Sequence, residues 1–290
     1  MLDLSLRSAG IRASGTAVLV LGLWLPARAA TAGLALLPGR LEIPVKPGVQ
    51  KTVSFEIESP PSADPVRGRL LLSLTDWDLR EDGSLVFQDP SSLKASAAPW
   101  ITFTPAAISI ASGEKHLVRV TLDVPADTPP GVYRAGIFVQ ERPPAAPPKA
   151  GDHNILFRFR YMETLYAIVG PVAARPSLTD AALETTGQNM QIVCKMKNDG
   201  TGFVRPRVTW SLRSGSNELV AEVKSHDATI LLPQVTLSER FPLDNLFAGK
   251  YELTMAVDFQ DDGPVQTMVR TVEIVPPAPT PRAPEPPKQP

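Results

Sequence analysis

The side chains with most to offer a partner fall in one short run. Ile155, Phe157, Phe159 and Tyr161 alternate with Leu156, Arg158 and Arg160. Successive side chains of a strand point to opposite faces, so this spacing sets large apolar groups on one side and two guanidiniums on the other. The chemistry on offer is recognition, not bond making: backbone pairing along an edge, with alternate side chains giving specificity. If the aromatic face packs inward, the run is an ordinary final strand with an arginine-rich exterior. If it is an edge, it exposes unpaired backbone beside apolar knobs, a hazard unless a partner completes it.

Groups suited to catalysis are scattered. His116, His153 and His226 lie in separate segments with no ligand spacing between them, whereas a zinc site or a hydrolytic triad needs convergent ligands or a placed base. Cys194 alternates with Met190, Ile192 and Met196, as a buried strand residue does, and a lone cysteine forms no internal disulfide. Asp76 and Asp78 flank Trp77, with Glu81-Asp82 close behind. That cluster reads as a strand end and hairpin turn, or as a cation site or carboxylate pair, and EF-hand spacing is absent. Asp261-Asp262-Gly263 reads as a turn. Trp77, Trp100 and Trp210 are core anchors before they are sugar platforms. Phosphate-cradling glycine loops, GxSxG and HExxH do not occur. No enzyme and no cofactor are expected.

The elements that position these residues are strands. Val53, Phe55 and Ile57 alternate with Ser54, Glu56 and Glu58, and Val118, Val120, Leu122 and Val124 with Arg119, Thr121 and Asp123. The grammar repeats in Met190–Met196, in Val208, Trp210 and Leu212, and in Tyr251–Phe259. Such runs bury one strand face and wet the other. Asp82-Gly83, Pro129-Pro130-Gly131 and Asp262-Gly263 supply turns. Proline, with 31 copies, suits edges and turns and is excluded from helix interiors. Each half opens a strand with Gly-x-Tyr, Gly131-Val132-Tyr133 and Gly249-Lys250-Tyr251, a spacing that lets a sandwich tyrosine tie its hydroxyl to upstream backbone. The fold class expected is all-β, with two consecutive immunoglobulin-like β-sandwich domains over 34–170 and 177–275.

Arg7 and Arg12, the apolar run Ala13–Leu25 and Ala27-Arg28-Ala29 have the three parts of a secretory signal over residues 1–29. The run is shorter than the ~20 residues that span a bilayer, so the mature chain is expected to be soluble outside the cytoplasm, without a membrane span. An uncleaved anchor is the alternative. The net charge of −1 gives no basic field for nucleic acid. Residues 276–290, mostly proline, read as a disordered spacer or as a ligand for a groove-bearing partner.

Pro99-Trp100-Ile101-Thr102-Phe103-Thr104-Pro105, the Gly113–Val120 strand and Phe138-Val139-Gln140-Glu141-Arg142-Pro143-Pro144 resemble the first domain of PapD-like periplasmic pilus-assembly chaperones. The resemblance implies that Ile155, Phe157 and Phe159 are lent to an incomplete pilin-like fibre subunit, with Arg158, Arg160 and Tyr161 on the same donor strand. It implies that Arg40 holds the subunit's C-terminal carboxylate, and that an outer-membrane usher is a further partner. No small-molecule substrate is implied. Met162 stands where the family has a cleft lysine, and Arg158 or Arg160 is the substitute on offer. The second half, with Lys197-Asn198-Asp199-Gly200 and Leu232-Pro233, is more similar to general bacterial surface Ig-like modules. A structural or adhesive envelope protein binding a surface protein or cell-wall glycan is therefore the alternative function.

Overall fold

A computed structural model describes residues 33–61, 68–141, 159–186, 189–243 and 246–274. The expected signal, the proline-rich tail, and Ile155, Phe157 and Arg158 lie outside the described residues. The first sandwich is built from β1 (Ala35–Leu37), β2 (Arg40–Val45), β3 (Gln50–Glu58), β4 (Gly68–Leu79), β5 (Leu85–Gln88), β6 (Ile101–Thr104), β7 (Ala107–Ile110), β8 (Lys115–Asp123), β9 (Gly131–Glu141) and β10 (Arg160–Val169). The second is built from β11 (Pro176–Thr186), β12 (Asn189–Asn198), β13 (Arg207–Ser214), β14 (Leu219–Asp227), β15 (Val235–Leu243), β16 (Gly249–Asp258) and β17 (Gln266–Ile274).

In the first sandwich one sheet runs β1-β3-β8-β6 and faces a second running β2-β10-β9-β4-β5, with β7 also on β4. The second sandwich packs β11-β12-β15 against β14-β13-β16-β17. Period-two alternation explains both interiors: Phe55, Ile57, Val118, Val120 and Leu122 fill the first, and Ile192, Cys194, Met196, Val208, Trp210 and Leu212 the second. The paired tyrosines behave alike. The Tyr133 hydroxyl donates to the Pro129 carbonyl (3.1 Å) and the Tyr251 hydroxyl to the Phe247 carbonyl (2.8 Å). In each case the acceptor lies four residues upstream, as the repeated Gly-x-Tyr spacing predicts.

The connecting segment is held by the second sandwich. Thr201 and Gly202 N–H both donate to the Ala173 carbonyl, and Asp199 N–H to that of Arg175. Asn198 is fully buried and organises this turn. Its Oδ1 accepts from Arg175 and Gly200 N–H, while its amide donates to the carbonyls of Gly202, Leu231 and Leu232. Gly200 has no alternative, because a Cβ there would collide with the Ala173 carbonyl oxygen and the backbone of Ala174 and Arg175.

A smaller apolar cluster joins the two sandwiches: Trp77, Val132, Tyr166 and Leu232 are buried together. Trp77 is 1% exposed and meets Tyr166 edge to face, a burial that stabilises by about 2–3 kcal/mol. The β4–β5 hairpin adds polar contacts. Ser238 N–H donates to the Glu81 carbonyl (2.6 Å), and Lys195 pairs with the Glu81 carboxylate (2.8 Å).

Candidate functional site

β10 is paired asymmetrically, and this defines the site. Its whole length, from Arg160 to Val169, lies antiparallel to β9. On the other side β2 runs parallel to it only from Thr164 (opposite Arg40) to Val169 (opposite Val45). Among the described residues Arg160, Tyr161, Met162 and Glu163 therefore have a ladder partner on one side only, an open edge roughly 13 Å long at strand rise. Phe159 leads into this edge and is 53% exposed.

The two faces of the open segment differ. Tyr161 packs against the first core, with its ring 6.5 Å from that of Phe159. Glu163, next on that face, is fully buried, and among the described residues neither carboxyl oxygen has a hydrogen-bond partner. Burial pushes its carboxyl up to about 8, because a charge without partners is disfavoured in an apolar interior. Glu163 is thus mainly neutral at pH 7.

The outer face carries a run of rings. Arg160 Nε–H donates to Gln140 Oε1 (3.0 Å), and its guanidinium lies 4.6 Å from the centroid of Phe138. Phe138 meets Phe87 edge to face at 5.1 Å, and Phe87 is half exposed. Met162 lies across Gly136, where a Cβ would come within 2.5 Å of the Met162 sulfur. The position read as a departure from the resembling family is an apolar side chain seated on glycine, with no charge to offer.

The cation beside Arg40 comes from elsewhere. Arg40 Nε–H donates to Glu42 Oε1 (2.9 Å), and the same oxygen accepts from Arg205 of the second sandwich (2.6 Å). Arg205 is held over the Phe203 ring at 4.8 Å and lies 6.0 Å from the Tyr166 ring. Two guanidiniums share one carboxylate, leaving one positive charge and spare N–H donors for an anion. Arg160 does not join them: four register positions separate it from Thr164, which stands opposite Arg40. Of the expected site residues, Phe159, Arg160 and Tyr161 are contiguous along the edge, and Arg40 stands where β2 begins. Arg205, Glu163 and Phe87 were not singled out by sequence; Arg205 has no motif, and alternation alone would have set Glu163 beside Leu165.

The groups suited to catalysis remain apart. Asp76 accepts from Leu93 N–H and the Ser96 hydroxyl, while Asp78 pairs with Arg134. Burial, with Glu239 nearby, pushes the Cys194 thiol up to about 12, so it is not a thiolate nucleophile at neutral pH. His116 and His226 stand beside Glu114 and Glu239 in different sandwiches. Among the described residues no group of three or more His, Cys, Asp and Glu side chains is placed to hold a metal ion, and no helix is long and apolar enough to cross a membrane.

No family model and no curated protein matches the chain. Solved structures similar to it include the CsuC–CsuE chaperone–tip adhesion subunit complex of Acinetobacter baumannii archaic Csu pili. That similarity has 17% identity and a TM-score of 0.45, covering 83% of this chain and 98% of that one. The class 5 fimbriae chaperone CfaA is similar at 11% identity and a TM-score of 0.41, over 84% of this chain and 100% of that one. The Salmonella enterica complex of SafA pilin with the SafB chaperone is similar at 12% identity and a TM-score of 0.37, over 82% and 96%.

Proposed function

We propose that the protein is a periplasmic chaperone of the PapD-like kind, which binds and stabilises a secreted pilin-like fibre subunit through the open edge of β10. The observation that carries this reading is the one-sided pairing of Arg160–Glu163 next to the exposed Phe159. A subunit strand laid on that edge satisfies its free backbone groups, and the apolar side chains of the Ile155–Phe159 run enter the subunit's unfilled groove. Arg40 and Arg205, already gathered on Glu42, receive a carboxylate of the subunit. Binding is non-covalent and uses no nucleotide, metal or cofactor. The signal-like residues 1–29 support export, and an outer-membrane usher is the expected acceptor of the loaded complex.

Capture from a periplasmic extract tests this. Wild-type protein should retain a small β-rich surface-fibre subunit, and Phe159→Asp should weaken retention at least about tenfold, a loss of roughly 1.4 kcal/mol, with an unchanged thermal midpoint. Undiminished capture by Phe159→Asp and by Arg205→Ala overturns the proposal. Unfolding of Phe159→Asp would instead make that ring part of the protein's own core and dismiss the lent strand. Retention of envelope glycan or a mature surface protein alone would favour the structural or adhesive reading.

A further inference from the structure

The second sandwich has an open flank. Among the described residues β14 pairs only with β13, and β15 only with β12, so the two sheets each end there in an edge strand. Between these edges lies a groove of about 440 Å³ whose walls include Val220 and Val223 of β14, Phe241 and Leu243 of β15, and Leu246. Trp210 forms part of the lining. Its ring meets Phe241 edge to face at 5.9 Å. Trp210 is 5% exposed, and its indole N–H is enclosed and has no hydrogen-bond partner among the described residues. A buried indole N–H normally finds an acceptor, and a ring so placed reports closely on what packs against this wall. Among the described residues the one charged member of the lining is Glu222.

A groove of aromatic and aliphatic walls suits a polyproline segment, whose ring faces pack on aromatic and aliphatic side chains. The chain supplies one. Eight of its last fifteen residues, Pro276–Pro290, are proline, and Arg282 and Lys288 outnumber Glu285, which complements Glu222. The tail also starts at the right end of the sandwich. Ile274, the last residue of β17, stands opposite Gly249 of β16, just beyond the groove residue Leu246. From there the groove is about three strand spacings across and five residues along the sheet, roughly 20–25 Å. At about 3.1 Å per residue in a polyproline helix, some eight residues cover that span. The distal stretch Pro284-Glu285-Pro286-Pro287-Lys288 is then the part that arrives.

We infer that the Trp210 groove is the docking site of the chain's own proline-rich tail, the 284–288 stretch lying between β14 and β15 against the apolar walls of Val220, Val223, Phe241 and Leu243. Tethering gives the tail an effective concentration in the millimolar range, so even a weak contact is occupied.

The test uses the full chain and the Trp210 indole N–H resonance as its reporter. A variant with Pro284, Pro286 and Pro287 all changed to Gly should shift that resonance, because the segment leaves the groove. A synthetic peptide of residues 276–290 added to the variant at millimolar concentration should return the resonance toward its wild-type position. The same peptide should bind the wild-type chain at least about tenfold more weakly, the groove being filled. Val220→Arg, on a wall residue 39% exposed, should abolish the peptide's effect in the triple variant without unfolding it. An indole resonance that neither the tail substitutions nor the peptide moves overturns the inference. So does a shift that tracks protein concentration with a doubled mass in light scattering, which would assign the groove to a second copy.

Discussion

Asn198 of the second sandwich and Glu163 of the first are both fully enclosed, and they are treated in opposite ways. Asn198 has its amide donors and its carbonyl engaged, tied to the linker on one side and to the Leu231–Leu232 backbone on the other. Glu163 has no partner for either oxygen among the described residues. The first is a buried polar residue used as a fastener, whose hydrogen bonds strengthen in low dielectric. The second carries a standing cost at the point where β10 loses its second neighbour. The contrast matches the roles argued for the two halves: a braced supporting module, and a module left unfinished along one edge.

The largest effect expected is at the fastener. Asn198→Leu removes hydrogen bonds to two N–H groups and three carbonyls, of which the Leu231 carbonyl keeps the Val204 N–H, and should cost about 4 kcal/mol, even if relaxation rescues some of the others; urea unfolding measures it. A loss below about 1 kcal/mol would break the comparison.

Next is Glu163. Its carboxyl in the folded chain titrates at about 8, raised from 4.5 by burial. As pH rises the unfolded chain therefore loses this proton first. The stability associated with the neutral form is complete below about 4.5 and is lost progressively as pH rises through about 8. Glu163→Gln should flatten that slope and gain about 3 kcal/mol near pH 7, read from unfolding curves at pH 5, 7 and 8.5. An unchanged slope would mean that the carboxyl has a partner after all.

The smallest effect sharpens the likeness between the sandwiches. Tyr133→Phe and Tyr251→Phe each remove one hydroxyl bond to a carbonyl four residues back, and each should cost about 1 kcal/mol. A much larger loss at Tyr251, the more buried of the two, would show that the corner in the supporting module bears more of its stability.

Much of the scaffold was legible because a strand writes its burial into every second residue. Phe55 and Ile57, Val118 to Leu122, and Ile192 to Met196 all face inward as that rule requires. The twin tyrosines were legible because their bond is local, spanning four residues. What depends on distant neighbours was not. Arg205 meets Glu42 across 163 positions of sequence, and no spacing announces it. Glu163 breaks the usual exchange between charge and burial, so pattern alone argues against its position. The Asp82-Gly83 turn was readable as a hairpin, but the lean of that hairpin on Lys195 and Ser238 was not.

The way the linker is held has a consequence for anyone wishing to recombine these sandwiches. Ala173 and Arg175 are bonded into the turn that Asn198 organises, and Gly200 leaves no room for them to be rerouted. The last residue before this bonded stretch with an unusual backbone is Gly170, at a φ of 64°. A splice placed at Gly170–Pro171 would carry the connector across with the module that grips it, whereas one placed at Pro176 would graft a foreign peptide into a socket shaped for this one. Exchange of the downstream module would also have to preserve Leu232, which packs with Trp77, Val132 and Tyr166 from upstream. The halves are modular in plan, but the transferable unit begins several residues before its first strand.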